Sequence, residues 1–474
     1  MTGIISAGAH IPALRINRKV IADAWERRAL GGERSVANHD EDSITMAVEA
    51  AVNCLNDTAR HELDGLYFAT TTTPYLEKMN SAMIATALDM RREIVTSDFA
   101  HSLRSGLAAL RAGLQSVQSG FAKKLVVAAA DNRLGYPRSD QEQNFGDAGA
   151  ALMLGDSDLI AGLEGDYSIN NEMVDVWRTG EDKFVNTWEG RFVTGEGYTA
   201  HMIEVVSGIL KKYGLKAKDI AKVILPAPDA RSQQGAAKKL GFDLETQVQD
   251  SLMNSVGFCG AAQPLLMLAA ALEKATPGDL LLVAAYGDGA DAMLFKTTER
   301  VTEKYNRNSV ESLLQNKLPL NSYPRFLSFQ NILAAESGEA VRLLPSATVT
   351  WRESNSLLRC HASRCRKCGE LAFPIQRVCN KCQAKDEYDE VRISGMQGKV
   401  FTFTKDNLAG RSDDPVVVQT VCELEDGLRF YGLMTDCDPS TVELNLPVEL
   451  TFRRFHEGGG FHNYYWKCRP ARSR

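Results

Sequence analysis

Four cysteines carry the plainest chemistry in this chain. They lie in "CRKCGELAFPIQRVCNKC" as Cys365, Cys368, Cys379 and Cys382, a C-x2-C-x10-C-x2-C pattern. Two cysteines so spaced fit a tight knuckle, and two knuckles set four thiolates at the corners of a tetrahedron, which suits zinc. Gly369 follows the first pair, where a knuckle turn needs it. A closed four-thiolate site leaves no open position for a substrate, so this zinc is structural. Only Cys54 and Cys259 of the ten cysteines fall in the first 359 residues, whereas five crowd into the 23 residues from Cys360 to Cys382. Such clustering reads as metal binding in a reducing compartment rather than as a disulfide framework. Cys360 is then a spare thiol.

The elements around these residues fall into three stretches. Residues 1 to 300 alternate apolar strands with amphipathic helices, the α/β pattern. "KLVVAAAD" at 124–131 and "DLLLVAAYGDG" at 279–289 are buried-strand runs. Each follows a glycine that opens an Ala/Leu-rich helix, and each leads through a Gly-Asp-Ala or Gly-Asp-Gly turn into a further strand. The reading is a duplicated unit, with halves at 1–165 and 166–300. Residues 301–344 read as a linker with docking helices, and 345–388 as the zinc ribbon. At 389–474, "GKVFTFTKDN" and "LPVELTFRRF" alternate in period two between turn residues, a small all-β barrel.

The net charge of −6 and apolar fraction of 44% are those of an ordinary globular protein. No apolar run reaches the roughly 18 residues of a membrane helix. The start, "MTGIISAGAHIPALRINRK", has no basic region ahead of an apolar stretch, so no signal peptide is expected. The expected compartment is the cytoplasm, with no membrane partner. From Trp351 onward, 19 Lys and Arg stand against 17 Asp and Glu, a net of +2. That is weak for a phosphate-tracking groove, so nucleic acid is not the expected partner.

"GERSVANHDEDSITMAVEAA", "HSLRSGLAALRAG", "KKLVVAAADNRLGYPRSDQEQNFGDAGAALML" and "YGDGADAMLF" together resemble the hydroxymethylglutaryl-CoA synthase branch of the thiolase superfamily. The remainder resembles the zinc-ribbon and OB-fold (DUF35-type) module that accompanies thiolase-like acyl-CoA enzymes. The resemblance implies an α/β thiolase-like fold of duplicated, layered βαβαβ halves, then a zinc ribbon and an OB-fold barrel. It also implies a homodimer, an acyl-CoA substrate, and a partner thiolase-like subunit as a further candidate.

In that family the nucleophile is a cysteine at a helix N-terminus, acylated by the thioester and assisted by a histidine, an asparagine or second histidine, and a glutamate. Here those positions hold Leu103, Pro226, Phe258 and about Thr71. Leucine forms no thioester, and proline and phenylalanine relay no protons. The resemblance therefore implies an aldol, retro-aldol or Claisen-like enzyme acting on CoA thioesters without a covalent step. The alternative is a silent acyl-CoA-binding or scaffolding subunit. Candidate catalytic residues are His101 and Ser102 at the mouth of the nucleophile helix, Tyr198 and His201 in "TGEGYTAHMIE", Cys259, and Asp288 in "YGDG". Candidate CoA contacts are Gly106, Gly287 and Gly289, with Arg453 and Arg454 meeting phosphates. That last expectation makes the ribbon and barrel a cover over the cleft, so that removing 345–474 leaves a soluble dimer with weakened acyl-CoA binding.

Overall fold

The computed structural model describes residues 1–56, 58–303, 308–333, 346–411 and 413–472. Of the expected linker, 304–307 and 334–344 therefore lie outside the described residues. No helix among those described is long and apolar enough to cross a membrane.

Fifteen labelled elements build the α/β part. The first half holds β1 (Gly3–His10), α1 (Ser43–Leu55), β2 (Gly65–Thr70), α2 (Asn80–Ala87), β3 (Val95–Ala100), α3 (Ser105–Gln118), β4 (Leu125–Asp131) and β5 (Ala148–Gly155). The second holds β6 (Ala161–Asn170), α4 (Ala200–Lys212), β7 (Lys222–Ile224), α5 (Ala230–Lys239), α6 (Gln263–Leu272), β8 (Leu280–Tyr286) and β9 (Gly289–Thr297). Their strands form one nine-stranded sheet in the order β7-β8-β9-β6-β1-β5-β4-β2-β3. Read outward from the β1–β6 seam, the two wings share one order, since a bridge from Val223 to Val248 supplies the missing outer strand. The seam itself is short: Gly3 pairs with Gly162 and Ile4 with Ala161. Strand β6 pairs with β9 over its whole length, so the expected boundary at 165 falls inside it.

α3 and α6 lie between the wings and supply their shared core, with Leu107, Leu110, Leu265 and Leu268 fully buried. This answers why α3 and β4 are so apolar. They are covered within the chain, so their composition is no argument for a dimer. Gly106 belongs to the same packing: a Cβ there would sit 2.3 Å from the Ala261 carbonyl oxygen.

Around the four cysteines, β10 (His361–Cys365) pairs with β11 (Leu371–Ala372) and β12 (Tyr388–Arg392). Beyond them, β13 (Gln397–Asp406), β14 (Val417–Leu424), β15 (Arg429–Leu433), β16 (Pro447–Gly458) and β17 (Phe461–Pro470) form a five-stranded sheet in the order β15-β14-β13-β16-β17. A bridge from Met434 to Cys468 brings its two ends together.

This sheet packs on α1. "DEDSIT" begins that helix: Asp42 accepts from Thr45 N at 3.0 Å, and Thr45 Oγ1 accepts from Asp42 N at 2.8 Å. Such a capping box is worth about 1 kcal/mol. The neighbouring acids face the barrel. Arg453, with no exposed surface, pairs with Glu41 and Asp436. Lys467 reaches Asp40 at 2.8 Å, and Arg469 reaches Glu49 at 2.7 Å. Tyr464 donates to Asp42 at 2.7 Å. Around these pairs the core is continuous, with Met46 and Val48 of α1 in one cluster with Val448, Phe452 and Trp466. The arginine expected on a CoA phosphate is thus sealed in an ion-pair network. Its neighbour Arg454 donates to the His39 carbonyl at 2.8 Å.

Candidate active site

Two chambers open at the C-terminal ends of the strands, where ligands of open α/β sheets bind. The larger holds about 610 Å³ and the smaller about 360 Å³. Leu103, Arg133, Asp175, Val176 and Val185 line both. Pro226 and Phe258 line the larger and Thr71 the smaller. The four substituted positions therefore converge on one cleft. Its centre is apolar: Leu103 packs against Phe145, Val185, Met253 and Phe258. Thr71 is also unavailable as a base, since its hydroxyl donates to Asp131 at 3.0 Å.

The segment before α3 is tightly bent. His101 has φ of +74° and lines the smaller chamber with Ser102. Ser102 Oγ reaches the Gly287 carbonyl at 3.4 Å, and no histidine nitrogen lies within hydrogen-bond reach of it among the described residues. It lacks the adjacent base that a serine nucleophile needs. Gly287 allows the β8–β9 turn to press on this segment, because a Cβ there would be 2.7 Å from Ser102 Oγ and 3.2 Å from Leu103 N. The Leu103 N–H meets no acceptor among the described residues.

Asp288 sits on that turn and lines the smaller chamber. Burial pushes its carboxyl above the usual range, and the charges of Asp175 and Glu172 add to this while Arg104 opposes it. Tyr198 lines the larger chamber; its hydroxyl has no partner among the described residues, and burial drives its phenol pKa up.

The other candidates lie elsewhere. His201, one turn past Tyr198, is buried with Nδ1 2.6 Å from the Gly197 carbonyl and Nε2 2.8 Å from Asn171 Nδ2. The carbonyl fixes the proton on Nδ1, so both nitrogens are satisfied and neither faces a chamber. Cys259 is fully buried behind the cleft, and burial with Asp147 and Asp131 holds its thiol well above the normal range. It is inert. Gly289 faces the Ile169 carbonyl rather than a chamber, at 2.3 Å from a Cβ built there. Among the described residues none beyond Asp288 lines either chamber, so the described residues of 346–472 do not cover the cleft. The C-terminal sheet meets the loop after β2 at Tyr75, whose hydroxyl accepts from His462 N at 2.8 Å.

Three lining groups carried no motif. Arg133 and Tyr286 stand at or just beyond the ends of β4 and β8, the edge where a parallel sheet presents ligand groups. That rule was the available signal. Asp175 arrives on an irregular loop that no pattern announces. Burial, and then Asp175, raise the Tyr286 phenol. At the outer rim of the larger chamber stands Arg27.

The four ribbon cysteines do come together. Cys365 and Cys382 sulfurs lie 3.6 Å apart, Cys368 and Cys379 3.5 Å, and all four within 4.8 Å of one another. A zinc tetrahedron with bonds of about 2.3 Å has edges of about 3.8 Å, so the set fits the ion. Each knuckle closes on a left-handed residue, Gly369 at φ +77° and Gln383 at φ +62°.

Residues 210–296 match the family model described as 3-oxoacyl-[acyl-carrier-protein] synthase III C terminal. The hydroxymethylglutaryl-CoA synthase of Methanopyrus kandleri is 31% identical over 315 residues, 64% of this chain and 89% of that one. The chain belongs to the hydroxymethylglutaryl-CoA synthase family. The family's Pyrobaculum aerophilum synthase is 30% identical over 345 residues, 70% of this chain and 98% of its own. A crystal structure of an HMG-CoA synthase complexed with CoA aligns at TM-score 0.63 and 18% identity, over 72% of this chain and 92% of that one. A 3-oxoacyl-[acyl-carrier-protein] synthase III from Aquifex aeolicus aligns at 0.56 and 22%, over 62% and 100%. The thiolase-like α/β fold of the family is therefore present. Both synthase matches leave about a third of this chain uncovered.

Proposed function

We propose that this chain makes or breaks a carbon–carbon bond beside a coenzyme A thioester without forming an acyl-enzyme. The observation that supports the reading is the shared cleft of Leu103, Pro226, Phe258 and Thr71, the residues that stand where the resemblance expects the nucleophile and its helpers. What remains suits enolate chemistry. The free Leu103 N–H at the start of α3 gives the thioester oxygen a donor on the positive end of a helix. Asp288, with its raised carboxyl, is the candidate to move the α-proton. Arg27 at the rim is the candidate for CoA phosphates. The expected product type is a branched hydroxyacyl thioester or its cleavage. A silent acyl-CoA-binding partner of a second thiolase-like subunit is the alternative, favoured by Ser102 having no base.

In the same reading residues 361–392 are a zinc ribbon around one structural zinc and 397–470 are an OB-fold barrel. The chain works in the cytoplasm, whose reducing poise keeps the four thiols available. Strand β3 ends the nine-stranded sheet with its outer edge unpaired among the described residues. A second copy joining there makes the homodimer, and light scattering should report about twice the chain mass down to submicromolar protein. A monomer at all concentrations excludes this.

Incubation with acetyl-CoA and acetoacetyl-CoA, read by intact mass and by product chromatography, tests the chemistry. The expected result is product without any acylated protein. Saturable thioester binding with no product selects the silent subunit. An acyl group mapped to Ser102 or Cys259 sinks the non-covalent reading.

A further inference from the structure

Arg133 stands in the wall shared by the two chambers, beside Leu103. It is 5% exposed. Its guanidinium carbon lies 4.6 Å from the Phe145 ring centre and 5.8 Å from that of Phe258. Among the described residues it donates no hydrogen bond and has no carboxylate within 4.0 Å. Other buried arginines here are treated differently. Arg34 donates to the Glu142 carbonyl at 2.7 Å and stands 3.6 Å from Asp147, and Arg453 holds Glu41 and Asp436. The fork of Arg133 thus keeps its donors for something inside the cleft. Burial lowers its pKa to about 10 while Asp131 and Asp175 oppose the fall, so it stays cationic at neutral pH.

The backbone makes room for this placement. Gly260 has φ of +55°, and a Cβ there would lie 2.8 Å from Arg133 Cδ and 2.2 Å from Asp131 Oδ2. A side chain at 260 would displace the arginine stem.

We propose that Arg133 anchors a carboxylate at the far end of the acyl group, holding by charge the acyl part that relatives with a cysteine hold by a covalent bond. The inference rests on the thioester reading above and names its substrate class, a CoA thioester whose acyl chain ends in an anion. A guanidinium clamps a carboxylate through two parallel hydrogen bonds, and its faces here are already fixed by two rings. The apolar wall of Leu103, Phe145 and Phe258 keeps the local dielectric low and the attraction strong. A neutral acyl chain leaves the cation buried and unpaired, which sets the discrimination.

Calorimetric titration of the full chain with CoA, pentanoyl-CoA and glutaryl-CoA tests this, since the two acyl chains differ only in the terminal carboxylate. Wild type should bind glutaryl-CoA at least tenfold more tightly than pentanoyl-CoA. Arg133→Gln should remove that preference with CoA affinity unchanged within twofold, and Arg133→Lys should restore part of it. If the glutamine variant does not fold, the wild-type comparison decides. Equal wild-type affinities, or a preference that survives in Arg133→Gln, overturn the assignment of Arg133 alone. Failure of all three ligands to bind overturns the thioester reading and this inference with it.

Discussion

Arg453→Met is expected to lower stability by about 3–5 kcal/mol, the usual cost of removing one partner from a buried ion pair. The substitution removes the cation that both acids share, leaving Glu41 buried with His10 at 2.8 Å and Asp436 with the more distant Arg469 and Arg472, at 3.9 and 3.8 Å. A urea titration followed by the fluorescence of Trp466, buried in the same cluster, should show the loss as an earlier midpoint. Acyl-CoA affinity of the folded variant should stay within twofold of wild type. Unchanged stability with a tenfold loss of CoA affinity returns Arg453 to a phosphate-binding role. The same network predicts acid sensitivity. Burial alone raises the Asp40, Glu41 and Glu49 carboxyls, but the attraction of Lys467, Arg453 and Arg469 outweighs it, so all three sit below their usual values. Their contribution is complete above the unfolded carboxylate value of about 4 and is lost as pH falls below it. Deleting residues 346–474 removes every one of these partners at once. The remainder should be insoluble, the reverse of what a covering module would leave.

Removing zinc should unfold the ribbon outright. Structural zinc contributes on the order of 10–16 kcal/mol of apparent binding energy, far above what three short strands hold without it. The effect should spread, because the ribbon is clamped to the first half. Arg392 donates to the Leu88 carbonyl at 2.7 Å, and Arg359 and His361 both reach Asp89, at 2.9 and 2.8 Å. Cys379→Ser, or a strong chelator, should free the segment from 361 to 392 to limited proteolysis and lower the melting midpoint. Thioester binding measured before unfolding should persist, since no ribbon residue lines a chamber. Well under one zinc per chain in the purified protein, with no iron in its place, refutes the site.

The α/β layering and the duplicated halves were legible because strands buried on both faces are unbroken apolar runs. Leu125–Asp131 and Leu280–Tyr286 look buried from composition alone. The four-cysteine cluster was legible because its members are close in sequence. Leu103, Pro226 and Phe258, far apart in the sequence and grouped there only by the family resemblance, do line one chamber. The errors share a cause, which is that distance along the chain hides a partner. Arg453 read as a phosphate contact because Glu41 lies some four hundred residues earlier. The cover of α3 was hidden in the same way, because α6, which packs on it, belongs to the other half. Arg133 escaped notice because an arginine after a strand is ordinary; its lack of an acceptor is a fact of three dimensions.

The join between α1 and the barrel bears on why these parts sit on one chain. The acids Asp40, Glu41 and Glu49 are on one side, and the cations Arg453, Lys467 and Arg469 on the other. Apart, each face would carry an uncompensated field and an oily patch, and as two polypeptides they would have to find each other at cellular dilution. A covalent tether replaces that search with an effective concentration near the millimolar range. Fusion then acts as a chaperone in cis: neither surface is displayed to strangers for longer than the chain takes to close on itself.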